Sequence, residues 1–209
     1  YAGAGGGFID KYGFPFCRGR IFQHLEKDES QYNDETEIFW ASGACFFIRK
    51  EVYRKLKGFD EDFFAHQEEI DLCWRAFNLN YKVKYNGKST VYHVGGATLN
   101  ESSPHKTFLN FRNSLWMMLK NVPRGKLVST FFIRLTLDGQ AGLHFALHGK
   151  FSHLFAVLKA HFYFYFFLFK FLNKRESNQY ANYYKTKSIV YYHFIKKGII
   201  FDSSFNNSL

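Results

Sequence analysis

Acidic residues all but disappear from the second half of this 209-residue chain. After residue 102 only Asp138, Glu176 and Asp202 remain, against 15 Lys and Arg, a net of +12. The first 102 residues carry 15 acids and 13 bases, a net of −2, so the overall charge of +10 arises in the C-terminal half. Charge of that density seeks an anionic partner, either nucleic acid or a phospholipid surface. Cysteine is scarce as well. Cys17, Cys45 and Cys73 form no CxxC pair, and their odd number leaves at least one thiol outside any disulfide scheme, which argues against a disulfide framework and fits a reduced cytosolic setting. No apolar run reaches the ~20 residues of a membrane-spanning helix. The chain starts at Tyr1 with no charged-then-apolar leader, so no signal peptide is expected, and it reads as a fragment or a truncated reading frame.

What is abundant is aromatic. Residues 161–172, HFYFYFFLFKFL, hold too many contiguous rings for an ordinary soluble surface. Two readings follow: a helix lying in a membrane interface, or a helix buried in a protein core. RNA- and DNA-binding motifs are lacking, and the acidic first half would repel a phosphate backbone, so no nucleic-acid partner is expected.

Residues 1–37 are Gly-rich and then acidic, with little periodicity, and read as a long ordered loop. Their AGAGGG run lacks the GK[ST] of a phosphate cradle. Residues 38–48, IFWASGACFFI, are apolar enough for a buried strand, and Gly43 within it would permit close backbone approach by a ligand. Helices are expected over 50–56 and 67–79, the latter with Ile70, Cys73, Trp74 and Phe77 at core-facing spacing and Asn80 as a left-handed stop. Strands follow over 81–85 and 89–94. Ser103-Pro104 is an N-cap and first-turn proline opening a helix to about residue 119. Beyond Gly125 the chain reads as basic, aromatic helices near 126–148, 152–172, 176–186 and 187–197, with a domain boundary near residue 122.

Chemistry concentrates between Phe59 and Arg75, FDEDFFAHQEEIDLCWR. On the helix, Glu68, Asp71 and Arg75 share a face, and Asp71 is placed to pair with Arg75 at i+4. Glu69 sits in the first turn, where the helix dipole and free N–H groups favour an ionised carboxylate suited to general-base work. The plain alternative is ordinary N-terminal helix chemistry. His93 ends a strand beside Gly95 and Gly96, and a lone histidine there is either a satisfied structural residue or a ligand.

Taken in order, Trp40-Ala41-Ser42-Gly43-Ala44-Cys45, Gly58-Phe59-Asp60-Glu61-Asp62, Glu68-Glu69-Ile70-Asp71-Leu72-Cys73-Trp74-Arg75 and His93-Val94-Gly95-Gly96 resemble the acceptor-side half of bacterial inverting family-2 glycosyltransferases of the GT-A fold. Arg112-Asn113 and Lys120-Asn121 continue the likeness in the manner of rhamnosyltransferase-like members. It covers residues 1–122 well and the rest loosely. The resemblance implies an α/β fold class, the C-terminal part of a GT-A domain over 1–122, followed by a helical, membrane-surface-associating extension over 123–209.

By the same resemblance Glu69 is the catalytic base, with Glu68 and Asp71 beside it, and Trp40, Ser42, Gly43, Ala44 and Arg75 bind substrate. His93 matches a histidine that in some relatives completes a divalent metal site, for Mn²⁺ or Mg²⁺, whose other ligands belong to an Asp-x-Asp motif. Implied partners are a nucleotide-sugar donor, a lipid-linked or glycan acceptor and the inner face of the cytoplasmic membrane. Two departures stand out. Many relatives have Glu-Asp where this chain has Glu68-Glu69, which leaves the base open between the two. The nucleotide-binding half with its Asp-x-Asp has no counterpart, so the chain alone is expected to lack turnover. A non-catalytic membrane-surface module is the alternative reading.

Overall fold

The computed structural model describes residues 5–92, 103–201 and 205. In chain order the strands are β1 (Gly7–Ile9), β2 (Pro15–Cys17), β3 (Arg20–Ile21), β4 (His24–Leu25), β5 (Glu35–Ile38) and β6 (Val83–Asn86). The helices are α1 (Lys50–Lys55), α2 (Glu68–Asn78), α3 (Pro104–Asn121), α4 (Leu127–Leu147), α5 (Phe151–Phe166), α6 (Leu168–Leu172) and α7 (Ile189–Phe194). Helices and strands are thus mixed, as expected. They form two compact units: one from residues 5–60, 69–92 and 180–201, the other from Glu61–Glu68 and 103–179. Residue 122, where the sequence places a domain boundary, lies inside the second unit, directly after α3.

In the first unit β1 to β4 form an antiparallel meander where a loop was expected, with Phe8 opposite Phe16. β5 and β6 pair antiparallel from Glu35 opposite Asn86 to Ile38 opposite Val83. Gly7 bridges to Trp40, and only a residue without a Cβ fits there: a methyl on Gly7 would stand 2.3 Å from the indole. The chain leaves the sheet after Trp40 because Ser42 Oγ accepts from the Ala44 N–H (3.3 Å) and Ser42 O from the Cys45 N–H (3.2 Å), making a turn at the Ser42-Gly43 interruption of the strand expected over 38–48. α1 and α2 share an apolar cluster of Val52, Leu56, Leu72 and Ala76. Asn80, at φ 62°, ends α2 as its sequence foretold.

The segment 180–201 returns to this unit; of the two helices expected there, the one near 187–197 is present as the short α7, and 176–186 is not helical. Asp10, fully buried, accepts from the N–H groups of Tyr12 and Phe14 through Oδ1 and from Ile189 through Oδ2 (3.0 Å), capping the approach to α7. Tyr183 packs its ring on Trp74 and donates its hydroxyl to Lys11 O (2.7 Å), while Phe201 stacks on Phe8. These contacts consume the backbone and ring surfaces that a helix over 176–186 would have left unpartnered.

The second unit is a helical layer. Ser103 caps α3, its Oγ accepting from the His105 N–H, and Pro104 occupies the first turn. Ala156 and Ala160 let α5 approach α3 closely at Phe108 and Leu109. Inside lies a buried polar group: Arg134 Nε donates to Asp138 Oδ1 (2.8 Å), Arg134 Nη1 to Ser114 Oγ (2.8 Å), and His161 Nε2 stands 3.3 Å from Asp138 Oδ2. The opposite face of α5 is apolar and uncovered. Phe151, Phe155, Leu158, Phe162, Phe166 and, on α6, Phe169 recur at helical spacing and are all exposed, as are Val128, Phe132, Leu143 and Leu147 on α4. Within the 161–172 run Phe164 and Phe171 lie in the core, while Phe162, Tyr165, Phe166 and Phe169 are exposed. No helix among the described residues is long and apolar enough to cross a membrane.

Candidate active site

The backbone leading into α2 is strained. Phe64, His66 and Gln67 have φ of 64°, 69° and 73°, although none is glycine. Each left-handed residue bearing a Cβ costs roughly 1–2 kcal/mol, so the conformation persists only if something holds it. That support comes from α3. Asn113, fully buried, donates from Nδ2 to the carbonyls of Phe63 (2.9 Å), Ala65 (2.8 Å) and His66 (2.8 Å), and its Oδ1 accepts from Arg112 Nε (2.9 Å). Arg112 Nη2 donates to the carbonyls of Asp62 (3.3 Å) and Phe63 (3.1 Å), its guanidinium lying 4.3 Å from the Trp116 ring centre.

The same segment is gripped at its side chains. Lys170 Nζ and Lys174 Nζ donate to the two Asp62 oxygens at 2.7 and 2.6 Å. Burial works against the ionised form of Asp62, but the two ammonium groups together outweigh it and hold the carboxyl below its usual range. Phe63 is fully buried, edge-on to Phe171 and beneath the Lys120 ammonium.

Beyond the grip comes a row of shielded polar atoms. His66 Nε2, Gln67 Oε1 and Glu68 Oε2 are closed off from solvent and, among the described residues, make no hydrogen bond. Burial pushes the His66 imidazole pKa down, and the charges of Lys106 and His105 push the same way. Unsatisfied atoms in succession are uncommon in folded proteins and call for a partner, whether water, an ion or a ligand. Glu69 follows in the first turn, half-buried. Burial, with the Glu69 carboxylate acting in the same direction, pushes the Cys17 and Cys73 thiols up to about 12. A shielded carboxylate at a helix start is equipped to take a proton from a hydroxyl brought to it.

The other expected site residues are placed differently from one another. Asp71 is fully buried and receives Arg75 Nε at 2.8 Å, the i+4 pair that the spacing predicts. The remaining Arg75 nitrogens donate to the carbonyls of Leu56 and Gly58, tying the end of α1 to α2. Trp40 is buried with Nε1 donating to Phe8 O (2.8 Å). Ser42 is half-buried and Gly43 and Ala44 are exposed at the tip of their turn, where nothing lies within 4 Å of a Cβ built on Gly43. His93, with Gly95 and Gly96, lies outside the described residues. Among the described residues there is no group of three or more His, Cys, Asp or Glu that could hold a metal ion. Arg112 and Asn113 entered the sequence reading only as part of a resemblance; their hold on the 62–66 carbonyls has no sequence signal of its own.

No family model matches the chain, and no solved structure matches it. Curated relatives do. N-acetylglucosaminyl-diphospho-decaprenol L-rhamnosyltransferase from two strains of Mycobacterium tuberculosis is 27% identical over 79 residues, 38% of this chain. The match spans about a quarter of those relatives' length, 26%. This partial similarity points to a glycosyltransferase relationship.

Proposed function

We propose that this chain is the acceptor-side part of a GT-A-type inverting glycosyltransferase acting on a lipid-linked glycan precursor at a membrane surface. The observation that carries the proposal is the pair of shielded carboxylates, Glu68 and Glu69, at the start of α2. Similarity to an enzyme whose acceptor is a sugar-diphospho-polyprenol supports the substrate class. In the proposed reaction Glu69 takes the proton of the acceptor hydroxyl as that oxygen attacks the anomeric carbon of a nucleotide-sugar. The bond from that carbon to the diphosphate breaks with inversion, and the nucleoside diphosphate departs with the electron pair. Asp71 and Arg75 keep the helix in place beneath the base. A divalent metal, with His93 as one ligand, would supply Lewis-acid stabilisation of the departing diphosphate.

The exposed stripe of α4, α5 and α6 supports the membrane location, since soluble proteins rarely leave contiguous apolar patches beyond a few hundred Å² uncovered. Arg124 and Lys126 before α4 and Lys150 before α5 add positive charge at the helix ends. The test is transfer of radiolabelled sugar from a panel of nucleotide-sugars to a polyprenyl-diphospho-sugar, with the protein carrying this chain. Glu69→Gln keeps shape and removes basicity, and is expected to lower kcat by about 10²-fold or more with little change in donor affinity. Near-normal kcat in that variant moves the role to Glu68; no transfer with any donor refutes the proposal.

A further inference from the structure

We propose that Arg112 and Asn113 of α3, joined by Lys170 and Lys174, form a clamp that fixes the strained loop 62–67 and thereby sets where α2 begins and where the Glu68 carboxylate stands. They are positioning residues, and the assignment of a transfer reaction to that carboxylate rests on the function proposed above. The clamp itself rests on geometry alone.

The geometry is selective. Two neighbouring side chains address the carbonyls of Asp62, Phe63, Ala65 and His66 and skip Phe64, the one residue of that run whose side chain is thrown out to solvent. A planar amide can donate to three carbonyls only when they converge. Convergence of Phe63, Ala65 and His66 on one Nδ2 requires the left-handed turns at Phe64 and His66. Clamp and strain are therefore one arrangement: the amide and Arg112 add to the Ala65 N–H bond to Phe63 O (2.8 Å) in holding the unfavourable backbone, and without them Phe64 and His66 relax toward ordinary φ. Relaxation would swing His66, Gln67 and Glu68, whose shielded polar atoms make no hydrogen bond among the described residues. Three shielded atoms without a hydrogen bond among the described residues are open to a polar ligand, and a clamp that fixes them is suited to receiving it already oriented.

The side-chain grip makes the loop resistant at its other end. Asp62 is fastened by two lysines from α6 and the turn after it, which explains why residues 61–68 group with the helical unit while their continuation in α2 belongs to the other. The acid-poor helical segment thus supplies the grip on the acid-rich loop.

The experiment compares Asn113→Ala and Arg112→Ala with Leu109→Ala in the full chain. Leu109 is buried on the same helix with Ala156 and Ala160, in the apolar cluster on which Ala65 of the loop also packs, and its side chain makes no hydrogen bond, so it reports loosening of α3 and of that apolar contact apart from the hydrogen bonds of the clamp. Amide hydrogen exchange across 63–68 is expected to accelerate at least tenfold in both clamp variants and to stay within twofold of the parent in Leu109→Ala. Carbodiimide-driven labelling of Glu68, read by mass spectrometry, is expected to rise severalfold in the clamp variants alone. Equal loosening of the loop in all three variants, or an unchanged loop in Asn113→Ala, overturns the clamp. Where transfer is measurable, kcat falls in Asn113→Ala while KM for the donor holds; a freed loop with unaltered kcat overturns the positioning role. Failure of the parent protein to transfer sugar counts against the proposed function only, because exchange and labelling decide the clamp independently.

Discussion

Replacing Phe155 and Phe162 by serine tests whether the uncovered face of α5 enters a membrane. The two rings are 64% and 65% exposed, so about two-thirds of each is available for transfer into an apolar medium. Full burial of a phenylalanine stabilises by about 1.5–3 kcal/mol, which scales here to about 1–2 kcal/mol per ring and about 2–4 kcal/mol for the pair. At 1.4 kcal/mol per tenfold, vesicle partitioning should weaken by roughly 30- to 1000-fold. The folded state should barely notice, since substitutions at exposed positions usually stay within about 0.5 kcal/mol. The assay is co-sedimentation with anionic and neutral liposomes at low and high salt. The parent should bind anionic vesicles, release partly in salt, and keep a residual binding that the double variant lacks. A double variant that sediments like the parent would show that only charge holds the protein, and a parent that ignores both vesicles would refute the membrane reading.

Two further predictions concern the interior. Asp138→Ala leaves the Arg134 guanidinium buried without its anion and should cost about 3–5 kcal/mol, read as a lower urea midpoint, whereas replacing both partners with apolar residues of similar volume should recover most of the loss. Of the three thiols, only Cys45 is exposed, and Cys17 and Cys73 are pushed up to about 12, so at pH 8 a thiol reagent should titrate one group in the folded protein and all three in denaturant; fast reaction at Cys73 would contradict the packing of α2.

Elements whose signals are local were legible in the sequence. α2 announces itself through Ile70, Cys73 and Trp74, all buried, and α3 through the Ser103 cap and Pro104. The β1 to β4 meander was not, because strands of two or three residues are too short to display alternation. Nor was the return of 180–201, whose burial depends on Asp10, Lys11 and Phe8, more than 170 residues away. At the site, the carboxylates and the Asp71–Arg75 pair could be read from spacing, but the left-handed turns could not. Phe64, His66 and Gln67 offer no glycine or asparagine to mark positive φ; that conformation is imposed from α3.

The return of 180–201 also sets an order of events during synthesis. A ribosome releases the β1–β2 hairpin long before the ring that covers Phe8 and the backbone that satisfies Asp10 Oδ2, which arrive only with Phe201 and Ile189. The helical unit, complete by residue 179, can close while the meander still waits. A premature stop between 179 and 189 would then leave a finished helical unit attached to a sheet with exposed aromatic rings, the kind of half-made product that chaperones retain and proteases remove.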